Sequence, residues 1–242
     1  MEKPSKSSVA FKKILLKLSG EALMGGEGYG IDPATVKDVC LQIKNVKDLG
    51  TQIGIVVGGG NIFRGMKAEK QGMERATADY MGMIATLLNA LTLQETLEKI
   101  GVPVSIQSAI NIEKVAAPYD RREAIKNLVE GKVVIFACGT GNPYFTTDTA
   151  AALRAVEIGA EALLKATKVD GVYDCDPVTH KDASLFQEIT YMDVINKKLG
   201  VMDLTAVTLC MENSLPIIVF NLRGKDNMKK AIQGKRVGTM VR

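Results

Sequence analysis

The sequence predicts an α/β fold: a mostly parallel sheet covered by helices on both faces. Short apolar runs rich in β-formers alternate with longer amphipathic segments along the chain. That alternation is the signature of repeated β-α-β units. Hydrophobic residues make up 46% of 242 residues, enough for a substantial core. No internal repeat or low-complexity stretch interrupts the pattern.

Lys13–Ser19 (KILLKLS) reads as a buried strand. A helix over Pro33–Leu49 follows, with Asp32 at the N-cap, Pro33 at the first helical position and Gly50 as its stop. Gln52–Val57 is the next strand and runs directly into Gly58-Gly59-Gly60. Thr77–Ile100 carries a long helical pattern ended by Gly101. Strands are expected at Pro103–Gln107, Lys132–Ala137, Ala162–Ala166 and Pro216–Phe220. Helices are expected at Asp120–Glu130, Thr147–Gly159, Thr190–Lys198, Asp203–Ser214 and Lys225–Gly234. Gly25–Gly30 and Lys168–Gln187 are the longest irregular insertions. Residues 1–10 are expected to form a flexible tail, most clearly over Met1–Ser8.

Composition narrows the chemistry. The net charge is +4 and the basic residues are dispersed, which argues against nucleic acid as the partner. Cys40, Cys138, Cys175 and Cys210 form no Cys-x-x-Cys pair, so neither a disulfide framework nor a zinc site is expected. His180 is the single histidine and sits in a polar stretch, where a solvated role is expected. No apolar run is long enough to span a membrane, and Met1–Phe11 lacks a signal-peptide core. A soluble cytoplasmic protein is the expectation.

Four segments at predicted strand ends carry candidate chemistry. Lys17-Leu18-Ser19-Gly20 places a lysine inside an apolar strand, which is costly unless the charge is paired. It is either a cation aimed at a phosphate or a lysine snorkelling from an edge strand. Gly58–Gly65 (GGGNIFRG) offers backbone N–H groups free of side chains, and Arg64 adds a planar fork for anions. Thr140–Asp148 (TGNPYFTTD) opens a helix, whose N-terminus attracts anions and where Thr146 and Thr147 can donate hydrogen bonds. Asp148 there is either an ordinary first-turn cap or a carboxylate that orients lysines. Lys165–Pro177 leaves a strand for an acidic loop suited to cover a nucleoside. No Gly-x-x-x-x-Gly-Lys-Ser/Thr and no Gly-x-Gly-x-x-Gly occurs, which argues against a P-loop kinase or a dinucleotide enzyme. Dispersed glycines and cations point to phosphate chemistry by positioning and charge neutralisation.

KLSGEAL, GGGNIFRG, GTGNPYFTTD, KATKVDGVYDCDP and VMDLTA, in this order, resemble the bacterial UMP kinases of the amino acid kinase superfamily. The resemblance covers Phe11 to Arg242 and implies one domain: a three-layer α-β-α sandwich with a UMP-binding N-terminal lobe and an ATP-binding C-terminal lobe. It implies ATP- and Mg²⁺-dependent phosphoryl transfer to UMP, activation by GTP, inhibition by UTP, and a homohexamer built as a trimer of dimers. By position, Lys17, Leu18, Ser19 and Gly20 would contact ATP phosphates, and Gly60 and Arg64 would lie against ATP. Thr167, Tyr173 and Asp176 would hold its nucleoside. Gly59 would lie against UMP, and Asp79 would bind the UMP ribose hydroxyls. Thr140, Gly141, Asn142, Pro143, Tyr144, Phe145, Thr146 and Thr147 would wrap UMP. Gly25, Gly26, Glu27, Gly28, Tyr29 and Gly30 would form the GTP-responsive region. Lys17, Arg64, Asp148 and a third cation, Lys165 or Lys168, would do the chemistry, with no residue assigned as a metal ligand. The competing readings are a non-catalytic storage protein of the same fold and a superfamily kinase acting on a small carboxylate or carbamate. Lys17, Arg64, Asp79 and Asp148 together argue against the first; Asp79 and the Thr-rich loop, standing where an amino-acid site would be needed, argue against the second.

Overall fold

The computed structural model describes residues 9–26, 28–65, 69 and 72–242. The Met1–Ser8 part of the expected tail and Glu27 lie outside the described residues. The elements run in the order β1 (Lys13–Leu18), α1 (Pro33–Lys47), β2 (Gln52–Val57), α2 (Arg75–Lys99), β3 (Val104–Ser108), β4 (Ala117–Pro118), α3 (Arg121–Val129) and β5 (Val133–Ala137). Then come α4 (Thr147–Ile158), β6 (Ala162–Thr167), β7 (Glu188–Ile189), α5 (Tyr191–Asn196), α6 (Leu204–Glu212), β8 (Ile217–Asn221), α7 (Asn227–Ile232) and β9 (Thr239–Val241).

The strands form one sheet in the order β4-β3-β5-β2-β1-β6-β8-β9-β7. Every pairing is parallel except β8 with β9. Helices cover both faces, as the alternation of apolar runs predicts. Ile14, Leu16 and Leu18 of β1 pack in one apolar layer with α1, α2 and α7, whereas Leu15 packs in the other with α3, α4 and α6. Strand side chains alternate between faces. Lys17 therefore shares the face of Leu15, under α4. The same parity puts Lys165 of β6 on the face of Leu163.

Local chemistry sets the helix starts. Asp32 Oδ2 accepts from Thr35 N at 2.8 Å, capping α1, with Pro33 at its first position. Gly159, at φ 66°, ends α4 in the left-handed region that glycine tolerates.

Three findings depart from the sequence reading. β1 is central, flanked by β2 and β6, so the edge-strand explanation of Lys17 fails. The C-terminal segment joins the sheet as β9, between β8 and β7, an element absent from the sequence reading. Ala10, inside the expected tail, donates its N–H to the Ile232 carbonyl at 2.8 Å. No described helix is long and apolar enough to cross a membrane.

Candidate functional site

The parallel register of β1 and β6 sets Lys17 directly beside Lys165. Asp148, in the first turn of α4, lies between their ammonium groups. Its Oδ1 is 2.7 Å from Lys17 Nζ and its Oδ2 is 2.7 Å from Lys165 Nζ. The Lys165 contact is a hydrogen bond, and Lys165 also donates to the Val201 carbonyl. The Lys17 contact is an ion pair without hydrogen-bond direction, which Coulomb attraction does not require. Burial would push the Asp148 carboxyl up, but Lys17 and Lys165 outweigh it and hold the group below the usual carboxylate range. Burial pulls Lys165 below the ordinary lysine value; Asp148 opposes that shift and Lys17 adds to it.

Asp148 is not the cap of its helix. Thr146 is the N-cap, and its hydroxyl accepts from the N–H groups of Asp148 and Thr149 at 3.0 and 3.2 Å. The Thr146 hydroxyl hydrogen goes to Asp203. Of the two threonines expected to donate hydrogen bonds at this helix end, Thr146 is thus already committed. Thr147 Oγ1 lies beside Gly58, 3.6 Å from where a Cβ on that glycine would stand.

The three glycines after β2 serve different ends. A Cβ on Gly59 would stand 2.7 Å from the Gly82 carbonyl of α2, so Gly59 is needed for close packing. Gly60 has nothing within 4 Å at that position and is the glycine open to a ligand. Gly20 packs against the same loop, where a Cβ would meet Gly58 O and Gly60 N at 2.8 Å. Asn61 and Asn89 pair through their amides, and Asn89 also holds the Gly58 carbonyl at 2.7 Å. Asn61 binds Gly30 through both side chain and backbone at 2.8 Å, tethering the described part of Gly25–Gly30 to this loop. Leu18 is fully buried, so only its backbone can face a ligand.

Arg64 and Lys168 meet on a second carboxylate. Glu21, in the 3₁₀ turn after β1, takes Arg64 Nη2 at 2.6 Å and Lys168 Nζ at 2.9 Å. The choice left open between Lys165 and Lys168 therefore divides by partner: Lys165 shares Asp148 with Lys17, and Lys168 shares Glu21 with Arg64.

Asp79 Oδ2 accepts from Arg75 Nε and from the Tyr144 N–H, each at 2.8 Å. This joins α2 to the Thr140–Thr147 loop. Cys138, just before this loop, and Tyr144 within it are non-glycine residues in strained left-handed conformations, at φ 61° and 72°. Thr167, Tyr173 and Asp176 line one cleft of about 450 Å³ together with Lys165 and Val201. Cys175 is exposed in the same loop, whereas Cys40, Cys138 and Cys210 are buried.

Sequence reasoning missed Asp203, Glu21, Asn61 and Asn89. Glu21 and Asp203 lay within the quoted motifs KLSGEAL and VMDLTA, but only their three-dimensional partners give them a role.

The profile of the amino acid kinase family matches residues 12–221. Among solved structures, a UMP kinase from Bacillus anthracis is 37% identical, with a TM-score of 0.93 and 96% of each chain covered. A UMP kinase from Ureaplasma parvum is 36% identical at a TM-score of 0.89, covering 95% of this chain and 98% of that one. A uridylate kinase from Archaeoglobus fulgidus is 28% identical at a TM-score of 0.76, covering 95% of this chain and 99% of that one.

Proposed function

This chain belongs to the amino acid kinase family, and we propose that it is a UMP kinase, moving the γ-phosphoryl group of ATP to UMP to give UDP and ADP. The observation that carries the reading is the pair of lysines set side by side by the β1–β6 register and bridged by Asp148. Fixed cations around a transferring phosphoryl group are what phosphoryl transfer requires of a protein. The names of the similar structures supply the substrate.

In this reading the UMP phosphate, already an anion, attacks the γ-phosphorus in line and needs no strong base. Lys17 and Lys165 neutralise the equatorial oxygens, with Arg64 at the rim. Asp148 holds the two lysines side by side and in place. The open side of Gly60 and the Thr147 N–H donate to phosphate oxygens, since Thr146 already takes the N–H groups of Asp148 and Thr149. Thr167, Tyr173 and Asp176 cover the ATP nucleoside, and the Asp79–Thr147 region takes UMP. Mg²⁺ carried by ATP would supply further charge neutralisation at the phosphates. Among the described residues no group of three His, Cys, Asp or Glu is arranged to hold a metal, so the phosphates would carry it. The same reading places the enzyme in the cytoplasm, in pyrimidine nucleotide synthesis. It adds GTP activation, UTP inhibition and a homohexameric trimer of dimers, on the strength of the motif resemblance.

The test is a coupled assay of ADP release with ATP and, in turn, UMP, CMP, dUMP, acetylglutamate and aspartate. UMP should be turned over best. Preference for acetylglutamate or aspartate would replace this reading with the small-carboxylate kinase.

A further inference from the structure

The geometry points to Asp203 as a positioning residue that fixes the start of α4, and with it Asp148, relative to Lys165. The inference rests on the phosphoryl-transfer reading above. Asp203 caps α6 through Oδ1, which accepts from Ala206 N at 3.0 Å. It does more than a cap requires. Thr149 Oγ1 lies 2.9 Å from Oδ1 and 3.0 Å from Oδ2, and Thr146 Oγ1 donates to Oδ2. These two threonines flank Asp148 in the first turn of α4. By contrast Asp120, the cap of α3, takes among the described residues only Glu123 N, at 2.8 Å.

The chain of donors has a direction. The hydroxyl hydrogen of Thr146 goes to Asp203, which leaves its oxygen to accept from Asp148 N and Thr149 N. A negative acceptor at the end of that chain strengthens each bond in it. Two residues before Asp203, the Val201 carbonyl accepts from Lys165 Nζ. One short segment therefore grips both the cation and the helix that carries its counter-ion. Thr149 is 5% exposed, so no solvent replaces the bond if Asp203 loses its charge.

The experiment compares wild type, Asp203→Asn, Thr149→Val and the double variant in steady-state kinetics with ATP and UMP, each beside a melting curve. Asn keeps an oxygen for the α6 cap but cannot accept at both positions. Misplacing reacting groups by about 1 Å costs roughly 10²-fold, so kcat of Asp203→Asn should fall about 10- to 100-fold. Both KM values should stay within about threefold, because the residue touches neither substrate. Thr149→Val should lower kcat less, because Thr146 still reaches Asp203, and the double variant should be no slower than Asp203→Asn, since the Thr149 contact is part of what that substitution removes. Asp120→Ala, a lost cap on α3 whose side chain bonds neither Asp148 nor the two lysines, should lower the melting temperature and leave kcat unchanged.

A kcat for Asp203→Asn near wild type, with only a lower melting temperature, would overturn the proposal, as would a loss confined to KM for UMP. If Asp203→Asn does not fold, Thr149→Val decides: an unchanged kcat sinks the idea. A wild type that fails to phosphorylate UMP would instead refute the functional reading.

Discussion

Two carboxylates in this molecule each hold two cations from different strand ends, in opposite environments. Asp148 and its partners Lys17 and Lys165 expose 15, 10 and 13% of their side chains. Glu21 and its partners Arg64 and Lys168 expose 37, 55 and 48%. The contact distances are nearly the same, so geometry does not separate the clusters; solvent does. Removing the carboxylate from the buried cluster strands two cations away from water. Removing it from the exposed cluster leaves cations that water and salt can satisfy, and such pairs contribute little. The buried cluster is thus a fixed electrostatic frame. In the proposed reaction the exposed one would act as an exchangeable clamp, whose cations leave Glu21 for a phosphate.

The comparison can be broken from the buried side first. Lys17→Met should lower kcat by about 10³-fold, the upper end of what one preorganised donor supplies. A loss smaller than tenfold would mean that Lys17 is only packed beside the site. Next in size is the choice between UMP and dUMP. Asp79 already accepts from Arg75 and Tyr144 N, so a ribose hydroxyl would join a built acceptor. Losing that hydroxyl should reduce kcat/KM by roughly 5- to 150-fold; equal values would remove Asp79 from ribose recognition.

The pH profile sharpens the contrast. Lys165 sits below the ordinary lysine value, so kcat should decline on the basic side before pH ~10.4 as its proton is lost. Asp148 raises the Lys165 pKa, so in Asp148→Asn the decline should begin at lower pH. An unmoved basic limb would show that Lys165 does not govern it. Stability follows the opposite limb. The Asp148 carboxyl is held low in the fold. Its contribution is therefore present above the unfolded value of about 3.9 and is lost as pH falls through the folded value. The smallest effect is expected for Glu21→Gln, which should change kcat by less than about threefold because its pairs are exposed. A hundredfold loss there would erase the distinction between frame and clamp.

Much of this was legible in the sequence because the cost of buried charge is legible. Lys17 in an apolar strand demanded a partner, whereas Asp148 at a helix start could also be read as a plain cap. The glycines after β2 announced a close approach, although only the structure divides their duties between packing at Gly59 and openness at Gly60. The pairing of Lys17 with Lys165 was out of reach, since strand register across the sheet leaves no local trace. Asp203 reads as a plain cap until Thr146 and Thr149 arrive from another helix. The strand β9 spans only Thr239–Val241, too short for a periodic pattern.

The most direct test of the buried frame is kcat for Asp148→Asn, measured on folded protein well below its melting temperature. Thr146 supplies the cap of α4, so the substitution removes charge from between Lys17 and Lys165 and leaves the helix start its own acceptor. The two lysines then repel and leave the position that a γ-phosphate needs. The account predicts a fall of about 10²- to 10³-fold in kcat. A fall of less than tenfold would contradict it and leave Asp148 a structural counter-ion.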